Sequence, residues 1–145
     1  RAVAVQRHTG DAGMKYRYSA TSLRRLGTCD PRLVDIFMEV ADHIDTTIIC
    51  GHRSQEDQDA AFRAGKSKVE WPEGKHNSKP SQAVDAAPYP IDWQDRERAT
   101  LFAGFVMGLA ASHGIILRWG GDWDRDWQVS DNSFDDLWHF ELIED

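Results

Sequence analysis

The chain has 145 residues and a formal net charge of −7, with 41% hydrophobic and 28% charged residues. This length suits one domain that can bury its own core. The acidic balance argues against nucleic-acid binding, which usually needs a basic patch. The longest apolar stretch, residues 101–111, is shorter than a membrane span. We therefore expect no nucleic-acid partner, no membrane partner and a monomeric protein.

The first thirteen residues show no helical or strand periodicity. We predict that residues 1–13 are a mobile leader or added segment and that residues 14–145 form a single domain. The segment also lacks the apolar core of a secretory signal, which predicts synthesis in a cytoplasm.

The two cysteines, Cys29 and Cys50, allow at most one disulfide. Cys50 ends an apolar run and is predicted to be a buried thiol. Cys29 precedes a helix start, so pairing between the two remains open.

Helix and strand signals alternate along the chain. Strands are predicted at residues 46–50, 82–87, 115–118 and 137–143, and helices at residues 19–26, 54–64 and 94–113 and from Pro31 onward. The helix starts at Pro31 and after Ser54 follow from capping signals, Asp30 before the proline and Ser54 itself. Helices set apart from a small, mainly antiparallel sheet predict an α+β domain.

Three residues of the types that bind zinc lie in two separated, strand-like segments: His76 and Asp85 in the first, His139 in the second. Three protein ligands leave one position of a tetrahedral ion open, as catalytic zinc sites do, whereas closed structural sites are usually rich in cysteine. Alternation along the last strand turns His139 and Glu141 away from its apolar face, which carries Trp138, Phe140 and Leu142 and is expected to pack on the core. The sequence therefore predicts Zn²⁺ as cofactor and a zinc hydrolase.

Three acidic residues near His139 are candidates for the general base. Glu141 shares the face of His139 but is also suited to orienting its imidazole. Asp135 and Asp136 lie where the preceding loop enters the strand, and a turn or capping role is expected for Asp135.

Three segments resemble the LAS zinc peptidases, also called the VanY or D-Ala-D-Ala carboxypeptidase family. The segments are GHRS at residues 51–54, GKHNSKPSQAVDAAP at residues 74–88 and WHFEL at residues 138–142. One spacing departs from the family pattern, because His76 is nine residues from Asp85 rather than seven. Gly74 and Ser81 also stand where Ser and Gly are usual, and the two extra residues lie around Lys79 and Pro80.

The resemblance implies a role for each of these residues. His76, Asp85 and His139 would bind zinc. Asp136, three residues before the last histidine, would be the general base, and Arg53 would bind substrate. Arg118 is a second candidate for substrate binding, from the far side of the cleft. It lies beside a tryptophan-rich loop that resembles a segment of the phage enzymes. The implied fold is that of the Hedgehog and D,D-peptidase domains.

The family resemblance is strongest to phage endolysins that cut the L-Ala-D-Glu bond of peptidoglycan stem peptides. We therefore expect a catalytic domain made in the host cytoplasm that acts on the cell wall in the periplasm. One alternative is a D,D-carboxypeptidase or D,D-dipeptidase on the same fold. Another is a non-catalytic, Hedgehog-type zinc-binding domain, against which Asp136 and Arg53 argue.

Overall fold

A computed structural model describes residues 16–132 and 134–144. Its elements in chain order are α1 (Ala20–Leu26), α2 (Pro31–Val40), β1 (Thr46–Cys50), α3 (Gln55–Arg63), a 3-10 helix (Lys75–Asn77), β2 (Ala83–Pro88), α4 (Arg96–Ser112), β3 (Leu117–Gly120) and β4 (Asp136–Leu142). The predicted α+β class is confirmed. The prediction for residues 1–13 lies outside the described residues.

Each of the four α-helices in the described residues begins at a side chain that accepts a hydrogen bond from the first turn. The caps are Ser19, Asp30, Ser54 and Asp95, with distances of 2.9 to 3.2 Å. These bonds satisfy backbone N–H groups that have no partner within the helix. The predicted caps Asp30 and Ser54 are thus confirmed. None of the helices in the described ranges is both long and apolar enough to cross a membrane.

The four strands form one antiparallel sheet in the order β1-β2-β4-β3. In this register Cys50 lies opposite Asp85, and Asp85 lies opposite His139. Residues directly opposite each other in antiparallel strands carry their side chains on the same face. The register therefore lines up three chemically active side chains across three strands.

The hydrophobic core lies on the other face of the sheet. Phe140 of β4 packs against Phe37 of α2 and Phe102 of α4, with ring centroids 5.7 and 6.0 Å apart. Val84 and Leu142 are buried in the same cluster. Helices α2 and α4 therefore cover one side of the sheet, and the row of Cys50, Asp85 and His139 faces away from it.

Two details differ from the sequence-based expectations. Trp138 does not join the main core but packs with Ala87 and Ala99 in a second, smaller cluster. Strand β3 spans Leu117–Gly120 rather than residues 115–118, because Ile115 still donates its N–H to Ala110 and so closes the end of α4.

Candidate active site

The three predicted metal ligands converge on one point at the sheet surface. Nε2 of His76 lies 3.0 Å from Oδ1 of Asp85 and 3.2 Å from Nδ1 of His139. Nδ1 of His139 lies 3.1 Å from the same Asp85 oxygen. The two histidines are buried, at 4% and 7% exposure. Residues 63 positions apart in the chain thus present three donor atoms to a single small space.

This triangle fits a metal ion in both chemistry and size. Imidazole nitrogen and carboxylate oxygen are ordinary zinc ligands, with bonds of about 2.0 to 2.2 Å. Tetrahedral geometry with such bonds separates neighbouring ligand atoms by about 3.3 Å. The three donor atoms are therefore spaced as ligands of one small divalent cation.

The thiol of Cys50 lies beside this triangle. Ligand atoms of Cys50, His76 and Asp85 lie within 4.8 Å of one another and form a possible metal-binding group. In the set with His139 the separations are 3.0 to 3.2 Å, close to those of neighbouring ligand atoms on one zinc ion. We therefore regard the set with His139 as the better candidate. Both cysteines are free thiols, and Cys50 is half-buried rather than fully buried as predicted.

Each imidazole is held in place through its other ring nitrogen. Nδ1 of His76 lies 2.7 Å from the carbonyl oxygen of Gly51. Nε2 of His139 lies 2.8 Å from Oε1 of Glu141. The carboxylate of Glu141 in turn accepts a 2.9 Å bond from Nη2 of Arg118. Such contacts fix the tautomer and orientation of metal-binding histidines.

The charge of Asp85 dominates the electrostatics of this cluster. Burial lowers the pKa of both imidazoles, but their contacts with Asp85 override it and raise the pKa of His76 to about 10 and of His139 to about 9. Burial raises the pKa of Asp85, yet the two imidazoles hold it well below its usual range. The cluster thus favours positive charge, carried either by protons or by a metal ion that displaces them.

The two adjacent carboxylates before His139 have different surroundings. Asp136 begins β4 and lines the cleft. Burial, together with the nearby charge of Asp85, raises its pKa to about 6. Asp135 instead pairs with Arg96 and accepts a 3.2 Å bond from Asn132, and the contact with Arg96 lowers its pKa. Of the two carboxylates, only that of Asp136 therefore lies close enough to the metal-ligand cluster to act as a base there.

Arg53 lies on the cleft side of the Asp85 carboxylate. Its Nη2 is 3.4 Å from Oδ2 of Asp85, and its backbone N–H donates to the carbonyl of His76 at 2.8 Å. Its Nη1 donates to Oε1 of Gln58 at 3.2 Å. The guanidinium is thus held between two polar side chains at the cleft wall.

The cluster opens into a cleft of about 500 Å³. Trp123, on the loop after β3, forms one wall, with its ring centroid 5.5 Å from that of His139. The Arg118 guanidinium lies over the same indole, 6.0 Å from its centroid. The tryptophan-rich loop therefore lies next to the ligand set, and Arg118 contacts it while paired with Glu141.

The two extra residues between His76 and Asp85 are taken up in a closed loop. The backbone N–H of Gln82 donates to the carbonyl of Lys75 at 3.0 Å, so residues 76–81 form a compact turn before β2. His76 and Asp85 still meet because the hydrogen bond between Gln82 and Lys75 closes the loop that contains the two extra residues. At Gly74 a Cβ would lie only 2.7 Å from Oδ1 of Asn77. A serine at this position would therefore require Asn77 to shift.

Sequence reasoning gave no role to Cys50 beyond burial and did not consider Gln58. Both belong to the site only through tertiary contacts: Cys50 through its register with Asp85, and Gln58 through its bond to Arg53. The glutamine lies five residues after the arginine, and no local pattern marks that spacing as functional.

The chain is similar to known peptidoglycan peptidases in sequence and in structure. The model of the phage L-alanyl-D-glutamate peptidase family matches residues 14–143. The chain is similar in structure to the Serratia marcescens L-Ala D-Glu endopeptidase ChiX, with a TM-score of 0.67 and 25% sequence identity over 92% of this chain and 93% of that one. No curated protein is similar enough in sequence to count as a match. Since the family match covers nearly the whole sequence, the chain belongs to the phage L-alanyl-D-glutamate peptidase family.

Proposed function

We propose that this protein is a zinc-dependent peptidoglycan peptidase that cleaves the L-Ala-D-Glu bond of the stem peptide. The observation that carries the proposal is the triangle of donor atoms from His76, Asp85 and His139, 3.0 to 3.2 Å apart, in a cleft that Asp136 also lines. The family match and the similarity to an L-Ala D-Glu endopeptidase support the choice of substrate and bond. We also propose that residues 14–145 make up one catalytic domain.

We assign the metal to His76, Asp85 and His139, since three ligands of these types are typical of catalytic zinc. A bound zinc ion would polarise the scissile carbonyl and favour ionisation of water at neutral pH. The Glu141 and Gly51 contacts support this assignment, because both hold an imidazole with one nitrogen directed at the ion.

Asp136 is the proposed general base. Its carboxylate would take a proton from the attacking water and pass it to the amine that leaves when the peptide bond breaks. Burial in the cleft raises its pKa, and a more basic carboxylate takes up and holds a proton more readily. Asp135 is a poor alternative, since Arg96 already pairs with its carboxylate.

Arg53 is the proposed substrate-binding residue. A guanidinium has five N–H donors, more than its contacts with Asp85 and Gln58 use. Donors at the cleft wall suit a carboxylate of the stem peptide or the oxyanion that forms as the bond breaks. Arg118 also lines the cleft, so anionic groups of the substrate would meet a second positive charge there.

The family of phage peptidases also supports a biological setting. We propose that the protein acts as an endolysin on the host cell wall, in the periplasm, after synthesis in the host cytoplasm. The substrate partner would be the stem peptide of peptidoglycan.

Mass spectrometry of muropeptides digested with the purified protein tests the function. Stem peptides that have lost L-Ala and begin with D-Glu are expected. Release of free D-Ala or of D-Ala-D-Ala would instead indicate a D,D-carboxypeptidase or a D,D-dipeptidase. Intact muropeptides, with one zinc bound per chain, would indicate a non-catalytic zinc-binding domain.

A further inference from the structure

Gln58 is a polar side chain in the middle of α3 that is completely buried, at 0% exposure. A buried amide is costly unless its oxygen and its NH₂ group both find partners. Glutamine at such a position therefore needs a specific set of contacts, and here those contacts join two parts of the cleft.

The amide oxygen of Gln58 holds the substrate-binding side. Oε1 accepts from Nη1 of Arg53 at 3.2 Å and from Nδ2 of Asn77 at 3.1 Å. The Asn77 amide also donates to the backbone carbonyl of Arg53 at 3.2 Å. Asn77 directly follows His76, so one small network joins the guanidinium of Arg53 to the segment that carries the first proposed metal ligand.

The amide nitrogen of Gln58 holds a second segment of the cleft lining. Nε2 donates to the carbonyl oxygen of Val69 at 2.7 Å and to Oγ of Ser67 at 3.0 Å. Ser67 and Val69 line the cleft and lie in the irregular segment between α3 and the 3-10 helix. Arg53 can only donate and the Val69 carbonyl can only accept, so these partners fix which end of the amide is oxygen.

We infer that Gln58 is the positioning residue that holds the guanidinium of Arg53 at a fixed distance from the 67–69 segment of the cleft lining. The inference rests on the proposed role of Arg53 in substrate binding. A neutral amide suits this task because it orients the guanidinium without cancelling its charge. A carboxylate at the same place would pair with Arg53 and compete with an anionic substrate.

The first test is a double-mutant cycle on peptidoglycan cleavage, with Gln58→Met as a shape-matched variant that lacks all four hydrogen bonds. We expect kcat/KM to fall roughly 10- to 100-fold while zinc content is unchanged, since small misplacements in a site cost this much. In an Arg53→Ala background the same substitution should cost less than about 3-fold, because the residue acts through Arg53. Gln55→Met, at an exposed position of the same helix, is the matched control and should leave activity unchanged.

A full loss of activity from Gln58→Met in the Arg53→Ala background would overturn the inference, because it would show a purely structural role. So would unchanged activity of the single variant. If Gln58→Met does not fold, Gln58→Glu decides the question, since it keeps an acceptor for Arg53 but adds charge. A rise of KM larger than the fall of kcat is then expected, and an unchanged KM would overturn the inference.

Hydrogen exchange gives a readout that does not depend on cleavage. Amides of residues 66–74 should exchange faster in Gln58→Met and in Gln58→Glu, because both lose the donor to Val69 and Ser67. Unchanged exchange would contradict the proposed role of Gln58 in holding residues 67–69, even if the protein cleaved no peptide. Wild-type activity of the Arg53→Ala variant, by contrast, would overturn the proposed role of Arg53 in substrate binding, on which the inference about Gln58 rests.

Discussion

Oε1 of Glu141 lies 2.8 Å from Nε2 of His139, on the side of the imidazole opposite to the nitrogen that faces Asp85. The carboxylate is buried and is itself paired with Arg118 at 2.9 Å. Contacts with His139 and Arg118 outweigh burial and lower the pKa of Glu141. The residue therefore stays ionised and fixes the imidazole so that Nδ1 is directed at the proposed metal.

Glu141→Gln should weaken zinc binding by about 10- to 100-fold, the usual effect of removing a carboxylate behind a histidine ligand. Competition with a fluorescent chelator would measure the affinity. Glu144→Gln is the matched control, because Glu144 is exposed and pairs with Arg32, so its loss should leave zinc affinity unchanged. Equal affinities for the two variants would mean that Glu141 does not orient the ligand.

Zinc content should fall from one per chain to nearly none in His76→Ala, Asp85→Ala and His139→Ala. Each substitution removes one of three protein ligands, and two ligands hold zinc weakly. Elemental analysis after dialysis would measure it. His113→Ala serves as the control, since that exposed histidine pairs with Glu39. Full zinc in His139→Ala would overturn the ligand set and would point to Cys50 as the third ligand.

Asp136→Asn should keep zinc and the fold but lose roughly 10²- to 10⁴-fold in hydrolysis, the usual contribution of a positioned acid or base. The amide is nearly the same shape and removes no ligand. Asp135→Asn should lose far less, because its carboxylate pairs with Arg96 outside the cluster. The assignment of the base is wrong if Asp136→Asn cleaves at the unmutated rate while Asp135→Asn or Glu141→Gln is inactive with zinc bound.

The substitution Asp136→Asn should also stabilise the metal-free protein at neutral pH. A carboxyl group whose pKa rises on folding, here from 3.8 to about 6, binds its proton more tightly in the folded state. The ionised form therefore costs stability, and this cost grows as pH rises from about 4 to 6. We expect Asp136→Asn to gain about 1 to 3 kcal/mol at pH 8 and little at pH 4. Urea denaturation with chelator at both pH values would measure it, and a variant less stable than the parent at pH 8 would contradict the pKa assignment.

Gly120→Ala should reduce hydrolysis by about 10- to 100-fold with zinc retained. Gly120 lies opposite Asp136 where the strand register shifts, and a Cβ there would overlap the backbone and Cβ of Asp136. The added methyl group should therefore displace the proposed base. Steady-state kinetics would measure the loss.

The control is Gly108→Ala, at an exposed position of α4 where a Cβ meets no heavy atom within 4 Å. It should keep full activity and gain about 0.5 to 1 kcal/mol in stability, since alanine favours helix over glycine. Equal activity of both alanine variants would mean that the close approach of Gly120 does not position Asp136.

Local signals in the sequence were sufficient to predict most of the elements and to name candidate ligands. Asp30 with Pro31 and Ser54 mark helix starts that the structure confirms, because a capping side chain bonds to N–H groups only two or three residues away. Alternation along β4 also predicted that Phe140 and Leu142 would be buried and that His139 would face the other way. These features depend on neighbours in the chain, so the chain alone determines them.

Only the tertiary structure decided which side chains meet. The register of β1, β2 and β4 brings Cys50 beside Asp85 and Asp85 beside His139, and a shift of one residue would turn each of them to the core face. The link from Gln58 to Val69 crosses an irregular segment whose path no periodic pattern predicts. The boundary of β3 likewise depended on Ile115 bonding back to α4. Contacts between distant segments arise from packing, which local propensities do not encode.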